Sequence, residues 1–296
     1  MECIKDSLQI KTYQTHGMIM TIKSFKTPLR YPGGKSRALS KLFQFIPDLS
    51  TYTEYREPFL GGGSVALEVS KRYPRLKIWV NDFYEPLYNF WREIQNNGKE
   101  IKNILLQLKE RHPDHGSARQ LFLDAKEYLE KDIEETERIH RAVSFYVVNK
   151  CSFSGLTESS SFSKQASDSN FSLNGIEKLT GYQELIANWK FTNLSYEQLL
   201  TDDRNVFIYL DPPYEIKSHL YGKRGNMHKK FDHDDFAIQC DRYASSQLVS
   251  YNSDQIIKDR FDGWTAAEFA HTYTMRSVGS YNIDQASRKE LVLYNY

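Results

Sequence analysis

The stretch that most restricts the fold is YLDPPYE, residues 209–215. The run before it, NVFIYL (residues 205–210), is β-branched, aromatic or apolar, which is typical of a buried strand. Proline has no N–H to donate to a sheet ladder, so two consecutive prolines end the strand at Asp211. The sequence therefore predicts a buried strand that carries a carboxylate, a rigid turn and an aromatic ring to one edge of a sheet.

This strand ending has two interpretations. The simpler one is a Pro-Pro turn beside a solvated aspartate. In the other, Pro212 and Pro213 hold a backbone carbonyl away from the sheet, and with Asp211 it forms a pair of acceptors suited to an –NH2 group. Tyr214 then supplies a flat wall for the ring that bears the amine. Because open α/β sheets bind ligands at the carboxyl ends of their strands, the second interpretation is favoured.

A glycine-rich turn occurs earlier, in REPFLGGGSVALEV, residues 56–69. Its glycines lead directly into a predicted helix, so a ligand can approach the backbone at the helix N-terminus. Asp82 follows Gly61 at about the spacing at which nucleotide-binding folds place the acid that binds ribose hydroxyls. The glycines alone also fit a simple tight turn, but with Asp82 they predict an adenosine-type ligand.

A second glycine turn lies in LRYPGGKS, residues 29–36. It ends like a phosphate-binding P-loop, but Leu29 stands where that motif needs its first glycine and no clear strand precedes it. The P-loop is therefore rejected. What remains is a turn that caps a helix beginning at Lys35, or one that also brings Tyr31 and Lys35 close to a ligand.

The order of the predicted elements indicates an α/β sheet interrupted by helices. A strand (LKIWVND) and a helix (YEPLYNFWREIQ) precede a helical block, a Ser-rich stretch follows it, and strands return near residue 205. We expect an N-terminal extension over residues 1–27, a catalytic domain formed by 28–98 and 201–296, and a helical insertion over 99–200.

Composition narrows the class of protein further. The chain of 296 residues is 40% hydrophobic and 26% charged, as in an ordinary globular domain, and its net charge of +1 limits any nucleic-acid surface to a local patch. The three cysteines stand far apart, so we expect neither a zinc site nor a disulfide framework, and we expect a cytoplasmic protein. No membrane-spanning run or signal-peptide pattern is evident.

Taken together, RYPGGK, EPFLGGGS, VND, YLDPPY and RKELVLYNY resemble, in this order, the Dam-like DNA adenine-N6 methyltransferases. The resemblance extends from about Leu29 to Tyr296. It implies a Rossmann-like methyltransferase sheet with a helical target-recognition insertion, and S-adenosylmethionine as cofactor with S-adenosylhomocysteine as product. It also implies double-stranded DNA as the partner, often within a restriction-modification system, and no metal.

The resemblance assigns roles to particular positions. The catalytic residues would be Asp211, Pro212, Pro213 and Tyr214. The cofactor would be held by Tyr31, Lys35, Phe59, Gly61, Gly63, Asp82 and Asp211. The Ser-rich stretch suggests DNA contacts at Lys150, Ser152, Ser154 and Lys164, and a basic, glycine-hinged loop after the motif suggests Lys223, Arg224 and Lys229. Near the C-terminus, Arg276 and Arg288 are further candidates for phosphate contacts.

The predicted chemistry is direct transfer to a flipped-out adenine. Methylation at carbon-5 of cytosine needs a cysteine nucleophile, usually after proline, and none of the three cysteines follows a proline. Other amine substrates remain open: cytosine N4, an RNA base or a protein glutamine. A catalytically idle DNA-binding relative also remains open.

The identity of one residue bears on the target sequence. Relatives that read GATC resemble this chain around Asn149 and Gly155 but carry arginine where Glu158 stands. Arginine suits guanine, whereas glutamate accepts a hydrogen bond from cytosine. We therefore expect a target other than GATC.

Overall fold

The computed structural model describes residues 12–15, 18–21, 26–31, 33–132, 134, 137–155, 160–214, 231–270 and 289–296. Within the predicted N-terminal extension, strands β1 (Thr12–Thr15) and β2 (Met18–Thr21) pair in an antiparallel hairpin. The rest of the described chain forms a mixed α/β structure around one large sheet, which confirms the predicted fold class.

Seven strands of the described residues form this sheet, in the order β5-β4-β3-β6-β7-β9-β8. The first five in that order are parallel, and β9 runs antiparallel to both of its neighbours. Their bounds are β3 (Glu54–Glu57), β4 (Lys77–Asn81), β5 (Lys190–Thr192), β6 (Val206–Leu210), β7 (Ser246–Asn252), β8 (Thr265–Ala270) and β9 (Lys289–Tyr294). All five residues of β6 are buried, as its apolar sequence predicts.

Helices pack on both faces of the sheet and form the insertion. They are α1 (Leu39–Leu42), α2 (Ser64–Arg72), α3 (Glu85–Arg111), α4 (His115–Glu130), α5 (Arg138–Cys151), α6 (Lys164–Asn170), α7 (Leu173–Glu177), α8 (Leu179–Leu185), α9 (His233–Asp241) and α10 (Gln255–Arg260). Within the described residues, no helix has the length and apolar character needed to cross a lipid bilayer.

The long helix α3 joins the sheet to the insertion. It covers both segments in which the sequence predicts separate helices, and one non-helical residue, Asn97, marks the kink between them (φ −131°, ψ 22°). The neighbouring Gly98 lets α8 approach, because an added Cβ would lie 3.0 Å from the side chain of Gln183. Buried Phe90 and Trp91 on α3 contribute to the larger hydrophobic core.

The chain returns to the sheet earlier than predicted. Strand β5 lies inside the predicted insertion of residues 99–200, yet it pairs with β4 through Trp79–Lys190 and the two positions that follow. The chain is therefore back in the sheet at Lys190, where the short segment KFT adds a strand at the edge formed by β4. The division into domains otherwise stays a prediction.

The topology gathers acids from distant parts of the sequence. Strands β4, β3 and β6 are adjacent and parallel, so their carboxyl ends lie at one edge of the sheet. Glu57 ends β3, Asp82 follows β4 and Asp211 follows β6. All three carboxylates therefore lie at the edge where open α/β folds bind ligands.

Candidate active site

A cavity of about 450 Å³ opens at this edge of the sheet. It is lined both by the glycine turn with Asp82 and by the segment Asp211 to Tyr214. Every residue predicted to hold a cofactor also lines it: Tyr31, Lys35, Phe59, Gly61, Gly63, Asp82 and Asp211. Two motifs that lie about 150 residues apart in sequence thus face one volume of a size suited to a small-molecule cofactor.

The glycine turn is held tightly from both sides. Gly61 and Gly63 have positive φ (51° and 69°), a conformation that favours glycine. A Cβ on Gly61 would lie 3.0 Å from the ring of Tyr31, and one on Gly63 would lie 2.8 Å from the ring of Trp91. The Trp91 Nε1 also donates to the Gly61 carbonyl at 3.1 Å. Two aromatic rings therefore fix the backbone that faces the cavity.

Asp82 connects the glycine turn to β4. Its carboxylate accepts hydrogen bonds from the backbone N–H groups of Gly61 (2.9 Å) and Tyr84 (3.0 Å). Burial raises the pKa of Asp82 to about 6, although these two hydrogen bonds oppose the rise. The aspartate is thus held rigidly at the cavity wall and titrates near neutral pH.

Asp211 is bound by a buried lysine. The Lys35 ammonium donates to both Asp211 oxygens, at 2.7 and 2.8 Å, and Ser250 donates to Oδ1 at 3.0 Å. Burial raises the pKa of Asp211, and the Lys35 charge opposes that rise without cancelling it. For Lys35, burial lowers the pKa, but the charges of Asp211 and Glu290 outweigh it and raise the pKa overall.

Tyr214 is 8% exposed and takes part in the same network. Its hydroxyl accepts from Lys35 and donates to Glu290, both at 2.6 Å, and its ring packs against Tyr251 with centroids 5.9 Å apart. The sequence predicts a role for the ring alone. The structure adds two buried, charged partners for the hydroxyl.

Other cavity residues carry weaker sequence signals. Glu57 is the last residue of β3 and precedes a proline, much as Asp211 directly follows β6 and precedes one. Burial raises the pKa of Glu57 well above the usual value. Ser195 and Tyr196 lie just beyond β5, in a segment that the sequence predicts as part of the insertion. Tyr196 stacks on Phe59 with ring centroids 5.5 Å apart. The strand–acid–proline pattern identifies Glu57, whereas the other two depend on tertiary structure.

The segment after α5 docks onto the turn that carries Lys35. The Asn149 side chain accepts from the backbone N–H of Arg30 (3.0 Å) and donates to the carbonyls of Arg30 and Gly155. Gly155 has φ +71°, and an added Cβ would lie 2.5 Å from the Arg30 carbonyl oxygen. Asn149 and Gly155, which carry part of the sequence resemblance, therefore join this turn to the insertion.

Of the predicted DNA contacts, Ser152 is contradicted by its burial. It is 0% exposed, and its hydroxyl donates to the Asn149 carbonyl at 3.3 Å, so it stabilises the turn instead of facing a partner. Lys164 is exposed at the start of α6. Lys150 is partly buried, and burial together with the charge of Arg30 lowers its pKa to about 8.

The remaining predicted contacts lie outside what the structure describes. Lys223, Arg224, Lys229, Arg276 and Arg288 fall outside the described residues, as do Glu158 and the side chain of Ser154. Their roles stay predictions. Among the described residues, no cluster of three or more His, Cys, Asp or Glu side chains is arranged to hold a metal ion.

The seven-stranded sheet with its antiparallel β9 is that of a Rossmann-like methyltransferase, and comparison with known proteins gives the family. The model of the D12 class N6 adenine-specific DNA methyltransferases matches residues 31–276. The chain belongs to this family and is an adenine-specific DNA methyltransferase. This result confirms the resemblance inferred from the sequence motifs.

Curated relatives agree with the family. The chain is 24% identical to Type II methyltransferase M.MjaIII of Methanocaldococcus jannaschii, over 66% of this chain and 70% of the relative. It is 22% identical to Type II methyltransferase M1.LlaDCHI of Lactococcus lactis subsp. cremoris, over 90% and 94% of the two chains. It is 20% identical to Type II methyltransferase M.CviBI of Paramecium bursaria Chlorella virus NC1A, over 92% and 100%.

Proposed function

We propose that the protein transfers a methyl group from S-adenosylmethionine to the N6 amine of an adenine flipped out of duplex DNA. The observation that carries the proposal is the shared cavity, in which the glycine turn with Asp82 faces Asp211 and Pro212. This arrangement allows a cofactor on one side to meet an amine on the other.

The cavity suits this cofactor. Its volume is in the range that binds ligands of this size, and the bare glycine backbone leaves room for a close approach. Asp82 would accept from the ribose hydroxyls, and Phe59 with Tyr196 would pack against the adenine ring. Tyr31 and Lys35 would border the methionine end. When bound, S-adenosylmethionine supplies an electrophilic methyl group on a sulfonium sulfur.

The acceptor pair suits adenine N6. The nitrogen lone pair is delocalised into the ring, so the amine is a poor nucleophile until its geometry changes. Asp211 would accept one N–H and the Pro212 carbonyl the other, which favours a pyramidal nitrogen with its lone pair directed at the methyl group. Among the described residues, no backbone N–H donates to the Pro212 carbonyl. After transfer, the Asp211 carboxylate is placed to take the proton that the amine loses.

The free-energy cost of base flipping determines how much of the DNA affinity must come from other contacts. Unstacking an adenine costs a few kcal/mol, and stacking on an aromatic ring such as Tyr214 returns about 1–3 kcal/mol. These two contributions nearly cancel. Net affinity must therefore come from phosphate contacts, for which exposed Lys164 and the basic residues outside the described part of the chain are the candidates.

The test is a transfer assay with methyl-labelled cofactor and separate DNA, RNA and protein substrates. We expect label in duplex DNA, recovered as N6-methyladenine after digestion. D211A should lower the rate by about 10²–10³-fold or more, because it removes one acceptor and the proton's destination. Label in RNA or protein alone, or on cytosine N4, would contradict the proposal, as would a D211A variant with the parental rate.

A further inference from the structure

Glu290 is a buried carboxylate that the proposed mechanism does not yet use. It lies on β9 opposite Asn252 of β7 and is 0% exposed. In an antiparallel pair, opposite side chains share a face, and residues two apart on a strand do so too. Glu290 therefore lies on the same face of the sheet as Ser250, the donor to Asp211.

Glu290 reaches the active site through two groups. It accepts a hydrogen bond from the Tyr214 hydroxyl at 2.6 Å, and one of its oxygens lies 3.3 Å from the Lys35 ammonium. Lys35 in turn donates to Tyr214 at 2.6 Å and to the Gly33 carbonyl at 3.1 Å. The ammonium is thus held between two carboxylates, a hydroxyl and a backbone carbonyl.

The acceptor positions of Asp211 can be counted from these contacts. A carboxylate has about four lone-pair positions, two on each oxygen. Oδ1 accepts from Lys35 and from Ser250, whereas Oδ2 accepts from Lys35 alone among the described residues. Counted over the described part of the chain, one position therefore remains open, on Oδ2, and the Asp211 side chain is 21% exposed.

We propose that Glu290 is a positioning residue for methyl transfer: with Tyr214 it fixes Lys35, and Lys35 with Ser250 leaves Asp211 a single open acceptor position on Oδ2. This inference rests on the proposed function of the site. The open position on Asp211 can accept one N–H of a primary amine, and the Pro212 carbonyl oxygen can accept the other. A singly methylated amine has only one N–H, so the site takes up its own product poorly.

The charge of the network supports the same role. One ammonium between two carboxylates leaves the cluster with a net charge of about −1. During transfer, positive charge develops on the amine nitrogen beside Asp211, and a net negative cluster stabilises it. The charge of Glu290 should therefore affect the chemical step more than the binding of either substrate.

The test compares E290Q with a matched control, E93Q. Glutamine at 290 keeps an acceptor for Tyr214 but removes the charge. Glu93 is a buried acid on α3 that accepts from Asn97, outside the cavity lining. We expect E290Q to lower kcat about 10–100-fold with KM for DNA and for cofactor within about threefold of wild type. E93Q should keep the wild-type kcat.

The pH dependence of kcat distinguishes a positioning role of Glu290 from a general loss of structure. Among the described residues, four titratable groups interact with the Lys35 ammonium. They are Asp211 and Tyr214 after β6, Glu290 on β9 and Glu57 on β3. Removing the Glu290 charge removes one of the influences that raise the pKa of Lys35, so the basic limb of the kcat profile should move to lower pH. E93Q should leave it in place. A kcat for E290Q within twofold of wild type, with an unmoved basic limb, would overturn the proposal.

A second variant covers the case in which E290Q does not fold. S250A keeps Lys35 and Glu290 but opens a second acceptor position on Asp211, so we expect a several-fold lower kcat with unchanged KM values. An unchanged kcat would refute the count of acceptor positions.

Wild-type protein in the same assay separates the proposed function from the role of Glu290. If it methylates no DNA adenine, the proposed function fails; if it does and the variants behave like it, only the role of Glu290 fails.

Discussion

At the scale of single residues, the site contains three carboxylates in three different environments. Glu57 accepts from the Tyr55 hydroxyl at 2.5 Å, Asp82 accepts from two backbone N–H groups, and Asp211 is paired with Lys35. Burial raises the pKa of all three carboxyl groups, but their hydrogen-bond and charge partners differ, so acids at neighbouring strand ends respond differently to pH. We therefore expect cofactor binding and methyl transfer to depend on pH through different groups.

Cofactor affinity should weaken in acid because of Asp82. Its pKa is about 6 in the protein with no ligand present, above the usual 3.8. Ribose hydroxyls donate to the ionised form, so binding lowers this pKa and the affinity rises as pH rises through about 6. Below that pH we expect the affinity for S-adenosylhomocysteine to fall by up to about tenfold per pH unit, measured by calorimetry.

The control for this titration is D82N. Asparagine keeps the size and one acceptor oxygen but does not titrate, so binding should be weaker at pH 8 and nearly independent of pH between 5 and 7. A wild-type affinity that does not change across pH 6, or a D82N variant with the same pH dependence, would show that Asp82 does not contact the ligand.

At the scale of elements, the contact of Gly63 with the Trp91 ring should stabilise the glycine turn before α2. G63A places a side chain at φ +69° and against the Trp91 ring. G263A introduces only backbone strain at φ +86°, because no atom of the described residues lies within 4 Å of the added Cβ. We expect G263A to lower the free energy of unfolding by about 1 kcal/mol, and G63A by about 2–4 kcal/mol with weaker cofactor binding. Urea denaturation measures both; equal losses would contradict the contact with Trp91.

The junction between the Lys35 turn and the insertion should be sensitive to Asn149. In N149D, the side chain still accepts from the Arg30 N–H, but the donor to the Arg30 and Gly155 carbonyls is lost. We expect a loss of about 1–3 kcal/mol in the free energy of unfolding and a lower kcat, because the turn also carries Lys35.

The comparison for this junction is N170D. Asn170 caps its own helix by donating to the Ala166 carbonyl, away from the cavity lining. It should lose stability without a comparable loss of kcat once folded protein is assayed. Should N149D keep full activity at the wild-type stability, the junction does not position Lys35.

Local patterns predict the elements of this site better than its network. The Pro-Pro ending of β6, the glycines before α2 and the acid after β4 are each visible in short stretches, because backbone conformation and strand endings are local properties. The contact of Lys35 with Asp211 joins residues 176 positions apart, and Glu290 enters from an antiparallel strand at the end of the chain. No local pattern specifies such pairs, since sheet order decides them.

The helical insertion shows how far local patterns reach. Helical periodicity predicts helices on both sides of Asn97, and the two halves of α3 meet in a kink at that residue. The three-residue strand β5 is too short for a periodic signal, and its place at the edge of β4 follows only from the assembled sheet.

At the scale of the whole molecule, cofactor binding should stabilise the fold. The cavity is bounded by residues after β3, β4, β5 and β6, so a ligand there connects segments from distant parts of the chain. At a ligand concentration of 100 times Kd, we expect about 2.7 kcal/mol of added stability, a rise of several degrees in Tm. Thermal denaturation with S-adenosylhomocysteine measures it, and D82N should show a smaller rise. An unchanged wild-type Tm at saturating ligand would contradict binding in this cavity.

The central claim is that this cavity methylates adenine in DNA, and the most direct measurement is modified-base sequencing of DNA from cells that express the protein. The account predicts N6-methyladenine at one fixed sequence context for wild type, and none for D211A expressed at the same level. Unmodified adenines with wild-type protein, modification confined to cytosine, or the same N6-methyladenine pattern with D211A would contradict it.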